Sequence, residues 1–332
     1  MIIAEIGLAH DGSIGIAHSF VDALAGTGVD IIKFQTHIAE AESSKYEKFR
    51  VNFSYKDKTR FDYWKRMEFS LNEWKGLKEH VEKMGMEFMS TATCIESFEL
   101  LEKIGVKRYK IGSGEISNFL MLEKIGRTGK PIILSSGLSN YEELDRTIEF
   151  LSDFKSPISI LQCTTSYPTK NHQWGLNQID ELKKRYSMPV GFSDHSGAIY
   201  ASLAATALGA EIIEIHVVFD KKQFGPDTSS SITIKETSKM VKGIRDIRKA
   251  INNPVNKNNI DDKTNNLKNI FEKSLAVNKD MKKESIIHFD DLESKKPSGY
   301  GINPKDYKKL IGKKINKDLK KWSFLTSSDL ND

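Results

Sequence analysis

Residues 189–217 read PVGFSDHSGAIYASLAATALGAEIIEIHV. An apolar run, Pro189–Phe192, leads into Ser193-Asp194-His195. A helical stretch, Ala198–Leu208, closes on Gly209, and a second apolar run, Ile212–Val217, carries His216. Strand, helix and strand over this span make one parallel βαβ unit. The unit repeats outward toward the N-terminus. Strand candidates are Ile2–Ile6, Asp30–Gln35, Glu87–Ser90, Arg108–Ile111, Pro131–Ser135, Ile158–Gln162, Pro189–Phe192 and Ile212–Val217. Helix candidates are Gly15–Ala25, Leu71–Met84, Ile95–Ile104, Phe119–Arg127, Tyr141–Leu151, Leu176–Tyr186, Ala198–Leu208 and Ile234–Ile251. Strict βα alternation predicts a parallel sheet. Eight units over about 250 residues predict an α/β fold, a closed (β/α)8 TIM barrel. No GxGxxG follows the first strand and no GxxxxGK[ST] occurs, which removes the dinucleotide and P-loop readings.

The repeat stops near Ile251, so residues 1–251 are expected to form the barrel. Residues 252–270 are polar and without hydrophobic period, and predict a linker. From Phe271 short apolar pieces alternate with turns, predicting a small β-rich domain over 271–332. Lys268–Asp332 holds 15 Lys, no Arg and 10 acidic residues and carries the whole net charge of +5. Those lysines lack interleaved aromatics, so a solvated surface is expected and nucleic acid is not. Two cysteines, Cys94 and Cys163, exclude a disulfide framework and a Cys-rich zinc module. No apolar run approaches the roughly 18 residues that span a bilayer. Met1-Ile2-Ile3-Ala4-Glu5 lacks the basic flank of a signal peptide, so a soluble cytoplasmic protein with no membrane partner is expected.

Active sites of such barrels form at the C-terminal ends of the strands. Those ends carry Glu5; Lys33, Gln35 and His37; Ser90-Thr91; Lys110 with Gly112-Ser113-Gly114-Glu115; Ser135-Ser136; Cys163-Thr164-Thr165; Ser193-Asp194-His195; and Glu214-Ile215-His216. His195 and His216 end adjacent strands, whose backbones lie about 4.8 Å apart. Two imidazoles at that separation suit one shared cation with positions left open for water and substrate. Lys33 and Lys110 could be salt-bridged by Glu5 or Glu115. With Thr91, Ser113, Ser135 and Ser193 around them they fit better as an anion pocket for phosphate or carboxylate.

In order along the chain stand Ile3-Ala4-Glu5-Ile6-Gly7, His10-Asp11-Gly12, Lys33-Phe34-Gln35-Thr36, Lys110-Ile111-Gly112-Ser113-Gly114-Glu115, Ile133-Leu134-Ser135-Ser136-Gly137, Tyr167-Pro168, Ser193-Asp194-His195 and Gly225-Pro226-Asp227. This series resembles the sialic acid synthase family, the N-acetylneuraminate synthases and their legionaminate relatives. The region from Phe271 resembles that family's antifreeze-like (SAF) domain.

The resemblance implies a reaction. Phosphoenolpyruvate condenses with an N-acylated hexosamine in its open aldehyde form, giving a nonulosonic 2-keto acid and phosphate. It implies that His195 and His216 hold Mn2+ or Mg2+. Lys33, Thr91, Lys110, Ser113, Ser135 and Ser193 would bind phosphoenolpyruvate. Gln35, Glu115, Tyr167 and Asp227 would contact the sugar, and Glu5 would handle protons. It further implies a domain-swapped homodimer in which each small domain caps its partner's barrel. Three positions depart from the family pattern. Thr165 stands for the usual Asn of the phosphoenolpyruvate pocket, Ile215 for a basic residue before His216, and Lys296 before Pro297 for an Arg offered to the acyl group. Lys lacks the bidentate fork of Arg. Two other readings use the same residues. One is a Schiff-base aldolase with Lys33 or Lys110 as nucleophile, and the other is an inactive sugar-binding paralogue.

Overall fold

The computed structural model describes residues 1–331 and divides into two compact units, Met1–Asn253 and the chain from Pro254 onward. The first unit opens β1 (Ile2–Gly7), α1 (Ile14–Leu24), β2 (Ile31–Thr36), α2 (Ala39–Glu42), α3 (Arg60–Met67), α4 (Leu71–Lys83), β3 (Glu87–Ala92), α5 (Ile95–Ile104) and β4 (Tyr109–Ile111). It continues α6 (Phe119–Arg127), β5 (Ile132–Ser135), α7 (Tyr141–Ser152), β6 (Ile158–Cys163), α8 (Gln178–Tyr186), β7 (Val190–Asp194), α9 (Tyr200–Ala207), β8 (Ile213–Val218), β9 (Ile232–Thr233) and α10 (Ile234–Asn252). Strands β1 to β8 pair in sequence order, all parallel, and β1 also pairs with β8. The expected closed TIM barrel is therefore present.

Strand alternation decides what the barrel holds. In β1, Ile2, Ala4 and Ile6 belong to the cluster that packs on the helices, whereas Ile3 packs with Ile31, Met89, Ile133, Leu161 and Ile212 in a separate cluster. That inner cluster is an apolar floor. Two residues further along most strands, on the same face, stand Glu5, Lys33, Thr91, Ser135, Cys163 and Glu214. The barrel is thus plugged by hydrocarbon at one end and lined with polar groups at the other. The outer helices hold their places by ordinary local rules. Ser70/Glu73, Asn140/Glu143 and Thr233/Glu236 form capping boxes at α4, α7 and α10.

Several expectations need correction. Strands β3 and β7 run two residues beyond the expected ends, to Ala92 and Asp194. Thr91 and Ser193, near those ends, are polar because they face the cavity, so the apolar run ends before the strand does. The segment between β2 and α4 is an insertion carrying α2 and α3, which no hydrophobic period announced. The stretch 252–270 is not all linker. Asp262–Phe271 forms a helix, α11, begun by Asp261, whose side chain accepts from the Thr264 N–H. Among the described residues of the second unit, regular strand is limited to β10 (Ser274–Val277) and β11 (Leu292–Lys295), which pair antiparallel. The remaining chain is joined by isolated bridges such as Met281 to Leu319 and Ile315 to Leu330. Its apolar pieces are too short for ladders, yet they bury a core of Leu275, Val277, Met281, Ile287, Leu310, Ile315, Leu319 and Leu325. Among the described residues no helix is long and apolar enough to cross a membrane.

Candidate active site

The polar ends of the strands surround a cavity of about 390 Å³. Of the residues singled out in the sequence, Glu5, Lys33, Gln35, Thr91, Lys110, Ser113, Glu115, Ser135, Thr165, Tyr167, Ser193, His195 and His216 all line it. Pairing register sets their neighbours. Glu5 lies opposite Lys33 on one side and His216 on the other, and Gln35 lies opposite Thr91. Lys33 Nζ stands 2.7 Å from Glu5 Oε2 and donates to Thr91 Oγ1 at 3.1 Å. Gln35 Nε2 donates to Glu5 Oε1 at 2.8 Å. Lys110 Nζ donates to Ser135 Oγ at 2.7 Å and lies 3.4 Å from Glu214 Oε1, to which Ser193 Oγ also donates at 3.2 Å. Two glycines keep the space open. A methyl at Gly137 would stand 2.4 Å from Thr165 Oγ1 and 2.8 Å from Ser113 Oγ. Gly7, at φ +53°, occupies backbone space that favours glycine, and a Cβ there would approach Gln35 and Glu5 to 3.4 Å.

The two histidines face each other with ring centroids 5.3 Å apart, and Tyr167 lies 4.3 Å from the His195 ring. Burial, reinforced by His216, drives the His195 pKa down to about 3, so the ring is neutral. Its Nδ1 lies 3.2 Å from the Thr164 carbonyl, which can only accept. The proton therefore sits on Nδ1, and Nε2 keeps its lone pair. Among the described residues no group of three or more His, Cys, Asp or Glu side chains is placed to enclose one ion. A metal here would take two imidazoles and leave most positions open. Two further features fit such an ion. Glu214 is 3% exposed and its Oε2 has no hydrogen-bond partner. The two lysines of the inner cavity are matched one for one by Glu5 and Glu214, so the protein offers a strongly anionic substrate no surplus positive charge.

Two candidates lie elsewhere. Asp227 lines an adjoining cavity of about 220 Å³ that shares Gln35, Tyr167 and His216 with the first. Its Oδ1 is held 2.6 Å from Arg50 Nη2, and that guanidinium lies 4.1 Å from the Tyr167 ring centroid. Lys296 belongs to the second unit, where its Nζ lies 5.0 Å from the Phe271 ring centroid.

The lining holds more than the candidates given a role. Glu214, which the strand-end filter names without a role, stands two residues before His216 on the same strand face. Burial works against its charge, but Lys110 and then Lys33 outweigh burial and hold it below the usual carboxylate range. His37, Glu42, Glu47, Arg60 and Trp64 also face the cavity. Of these only His37 had been noted, and the rest sit on the aperiodic insertion after β2.

The NeuB family profile matches residues 20–256. The N,N'-diacetyllegionaminic acid synthase of Campylobacter jejuni is 34% identical over 326 residues, covering 96% of this chain and 97% of the relative. The human N-acetylneuraminate-9-phosphate synthase is 29% identical over 317 residues, covering 95% and 88%. Among solved structures, N-acetylneuraminic acid (sialic acid) synthetase from Leptospira borgpetersenii, in complex with citrate, superposes with a TM-score of 0.70 at 33% identity. That match covers 80% of this chain and 89% of the other. With the barrel and its polar mouth already in place, the match over most of the first unit settles the grouping: the chain belongs to the NeuB family.

Proposed function

We propose that this barrel condenses phosphoenolpyruvate with the open aldehyde form of an N-acylated hexosamine, giving a nonulosonic acid of the sialic type and inorganic phosphate. The observation that carries the reading is the ring of Lys33, Lys110 and four hydroxyl side chains set beside two histidines in one cavity. Lys33 with Thr91, and Lys110 with Ser113, Ser135 and Ser193, bind the carboxylate and phosphate of phosphoenolpyruvate. Gln35, Glu115, Tyr167 and Asp227 hold the sugar. His195 and His216 would hold Mn2+ or Mg2+, which when bound supplies Lewis-acid polarisation of the aldehyde. Carbon 3 of phosphoenolpyruvate forms the new bond to the aldehyde carbon. Water then adds at carbon 2, and phosphate departs by cleavage of its bond to that carbon. Glu5, fixed between Lys33 and Gln35, accepts the proton that this water gives up. The relatives' printed activities, legionaminate and neuraminate synthesis, support the class of product.

A Schiff-base mechanism needs an amine free to attack the carbonyl. Lys33 and Lys110 are both buried against carboxylates, at 2.7 and 3.4 Å, and each would have to leave that partner to do so. The test is phosphate release from phosphoenolpyruvate across a panel of acylated hexosamines, with and without manganese. Release that needs both a hexosamine and the metal supports the reading. Covalent trapping of a lysine by borohydride would replace it.

The same reading includes a homodimer in which the second unit of one copy, carrying Lys296, covers the barrel mouth of the other. Mixing inactive His216→Ala protein with protein truncated after Asn253 tests this. Restored activity supports exchange, and none after confirmed subunit exchange contradicts it.

A further inference from the structure

The turn His10-Asp11-Gly12 after β1 and Arg66 on α3 line neither cavity, yet they are built onto each other. Asp11 and Gly12 both stand in the left-handed region, at φ +50° and +75°. A methyl at Gly12 would lie 2.2 Å from the Arg66 carbonyl oxygen, so the turn is shaped to receive the backbone of α3. His10, fully buried, holds the turn from within, its Nδ1 accepting from the Gly12 N–H at 3.1 Å. The Arg66 guanidinium then uses all three of its nitrogens. Nη1 donates to the Asp11 carbonyl at 2.9 Å and to Asp11 Oδ1 at 2.6 Å. Nε and Nη2 fork onto Asp57 Oδ1 and Oδ2 at 2.9 and 2.7 Å. Asp57 is buried in the irregular chain before α3 and also accepts from Ser54 Oγ at 2.8 Å. One side chain thus ties together the turn after β1, the irregular part of the insertion and α3.

Another part of α3 carries Arg60 and Trp64, which line both cavities. Arg60 Nε lies 3.0 Å from Glu47 Oε1, Trp64 Nε1 donates to the other Glu47 oxygen at 2.9 Å, and the His37 ring stacks on Trp64 at 4.0 Å. This outer wall has no strand register to fix it. Helix α3 has 8 residues, too few to be stable by itself. Its apolar seat is small: Leu8 and Ala39 beneath Tyr63, Trp64 and Met67. We propose that Arg66 is a positioning residue and His10-Asp11-Gly12 its receiver, together fixing where α3 sets Trp64 and Arg60 in the cavity wall without touching substrate. Without the guanidinium, Asp57 is a buried charge with no partner, and α3 is free to slide on its seat. The proposal rests on the synthase reading for its kinetic readout alone.

The experiment compares full-length wild type, with manganese, against Arg66→Ala, Arg66→Lys and Gly12→Ala. Gly12→Ala leaves the charge of Arg66 untouched and drives a methyl into its carbonyl. Lys is a single point charge that cannot serve Asp11 and the Asp57 fork together. Hydrogen exchange read by mass spectrometry should be at least about tenfold faster over residues 39–67 in Arg66→Ala and Gly12→Ala, with the barrel strands within about twofold of wild type. The KM for the acylated hexosamine should rise by about tenfold in the same two variants and by less in Arg66→Lys, with kcat and the KM for phosphoenolpyruvate within about twofold. Adding Arg66→Ala to Gly12→Ala should change little further, because both break one contact. Should Arg66→Ala not fold, the other two variants carry the comparison. Faster exchange spread over the barrel strands, with kcat and both KM values moving together, would make Arg66 a general stabiliser and overturn the proposal. So would unchanged exchange over 39–67, or a loosened insertion with an unmoved KM for the sugar. If the wild type turns over no acylated hexosamine, the synthase reading falls by itself, and the exchange comparison still decides whether Arg66 holds α3.

Discussion

The inner and outer halves of the cavity solve the same problem with different materials. The inner ring is carried on strands. Glu5, Lys33, Thr91, Lys110, Ser135, Ser193 and Glu214 occupy positions fixed by parallel pairing, and their side chains are buried to within a few per cent. The outer wall is carried on the insertion after β2 and on the loop holding Asp227. Its groups are held by stacking and ion pairs in place of backbone register. Chemistry common to many acceptors can sit on the rigid ring. A choice among acceptors can be rewritten in the loops without disturbing it. Substitutions in the ring should therefore cost orders of magnitude in rate, and substitutions in the wall should move KM and specificity.

The largest expected effect is at His216. His216→Ala should lower kcat by at least about a thousandfold while leaving the thermal midpoint and circular dichroism near wild type. Chelation of the wild type should reproduce that loss, and added manganese should reverse it. Retained turnover after metal stripping would break the assignment of the pair. Next comes Glu214→Gln, which leaves Lys110 buried without its counter-charge. A cost of about 3 kcal/mol in urea unfolding is expected, with weakened binding of phosphoenolpyruvate. A neutral outcome would mean that Lys110 does not depend on it.

A third effect is read in acid. His10 lies buried in the turn after β1, with Nδ1 accepting from the Gly12 N–H at 3.1 Å. Burial first, and then His37, lower its pKa from 6.5 to about 3. Below pH 6.5 the unfolded chain takes up a proton that the folded chain refuses. Its contribution is therefore whole above 6.5 and drains as pH falls toward 3, at up to about 1.4 kcal/mol per pH unit. Urea unfolding between pH 7 and 5 should show that slope, and His10→Gln should flatten it. An unchanged slope would mean that other groups carry the acid sensitivity. The smallest effect is expected at Arg50→Ala. This exposed pair with Asp227 should contribute under about 1 kcal/mol to stability, with a few-fold rise in KM for the sugar and little change in kcat. A large fall in kcat would move Arg50 from the wall to the chemistry.

The same contrast explains what the sequence disclosed. Strands were legible because the floor residues, such as Ile3, Ile31 and Ile133, and the helix-facing residues, such as Ile2 and Ile32, make unbroken apolar runs. Their ends blurred where function begins. Ser193 and Asp194 are strand residues that look like a loop because Ser193 faces the polar cavity and Asp194 accepts from Ser196 and Ser202 on the other side. Of the thirteen candidates that converged on one cavity, all but Tyr167 stood at or just beyond such an end. Tyr167, like Asp227 and Lys296 outside that cavity, was assigned through family likeness alone. The insertion wall stayed hidden because Glu42, Glu47 and Arg60 follow no period and meet only through tertiary contacts. Helix α11 was missed for a related reason. Its sequence, DKTNNLKNIF, is mostly polar, and its few apolar side chains, Leu267, Ile270 and Phe271, remain exposed.

The most direct test of the central claim follows one oxygen. Phosphoenolpyruvate labelled with oxygen-18 at the bridging position is turned over with an acylated hexosamine and manganese, and the products are weighed by mass spectrometry. The label is expected to leave with phosphate, while the carbon 2 oxygen of a new nonulosonic acid comes from solvent water. Label retained in the acid, or phosphate formed without an acid that contains the hexosamine, would contradict it.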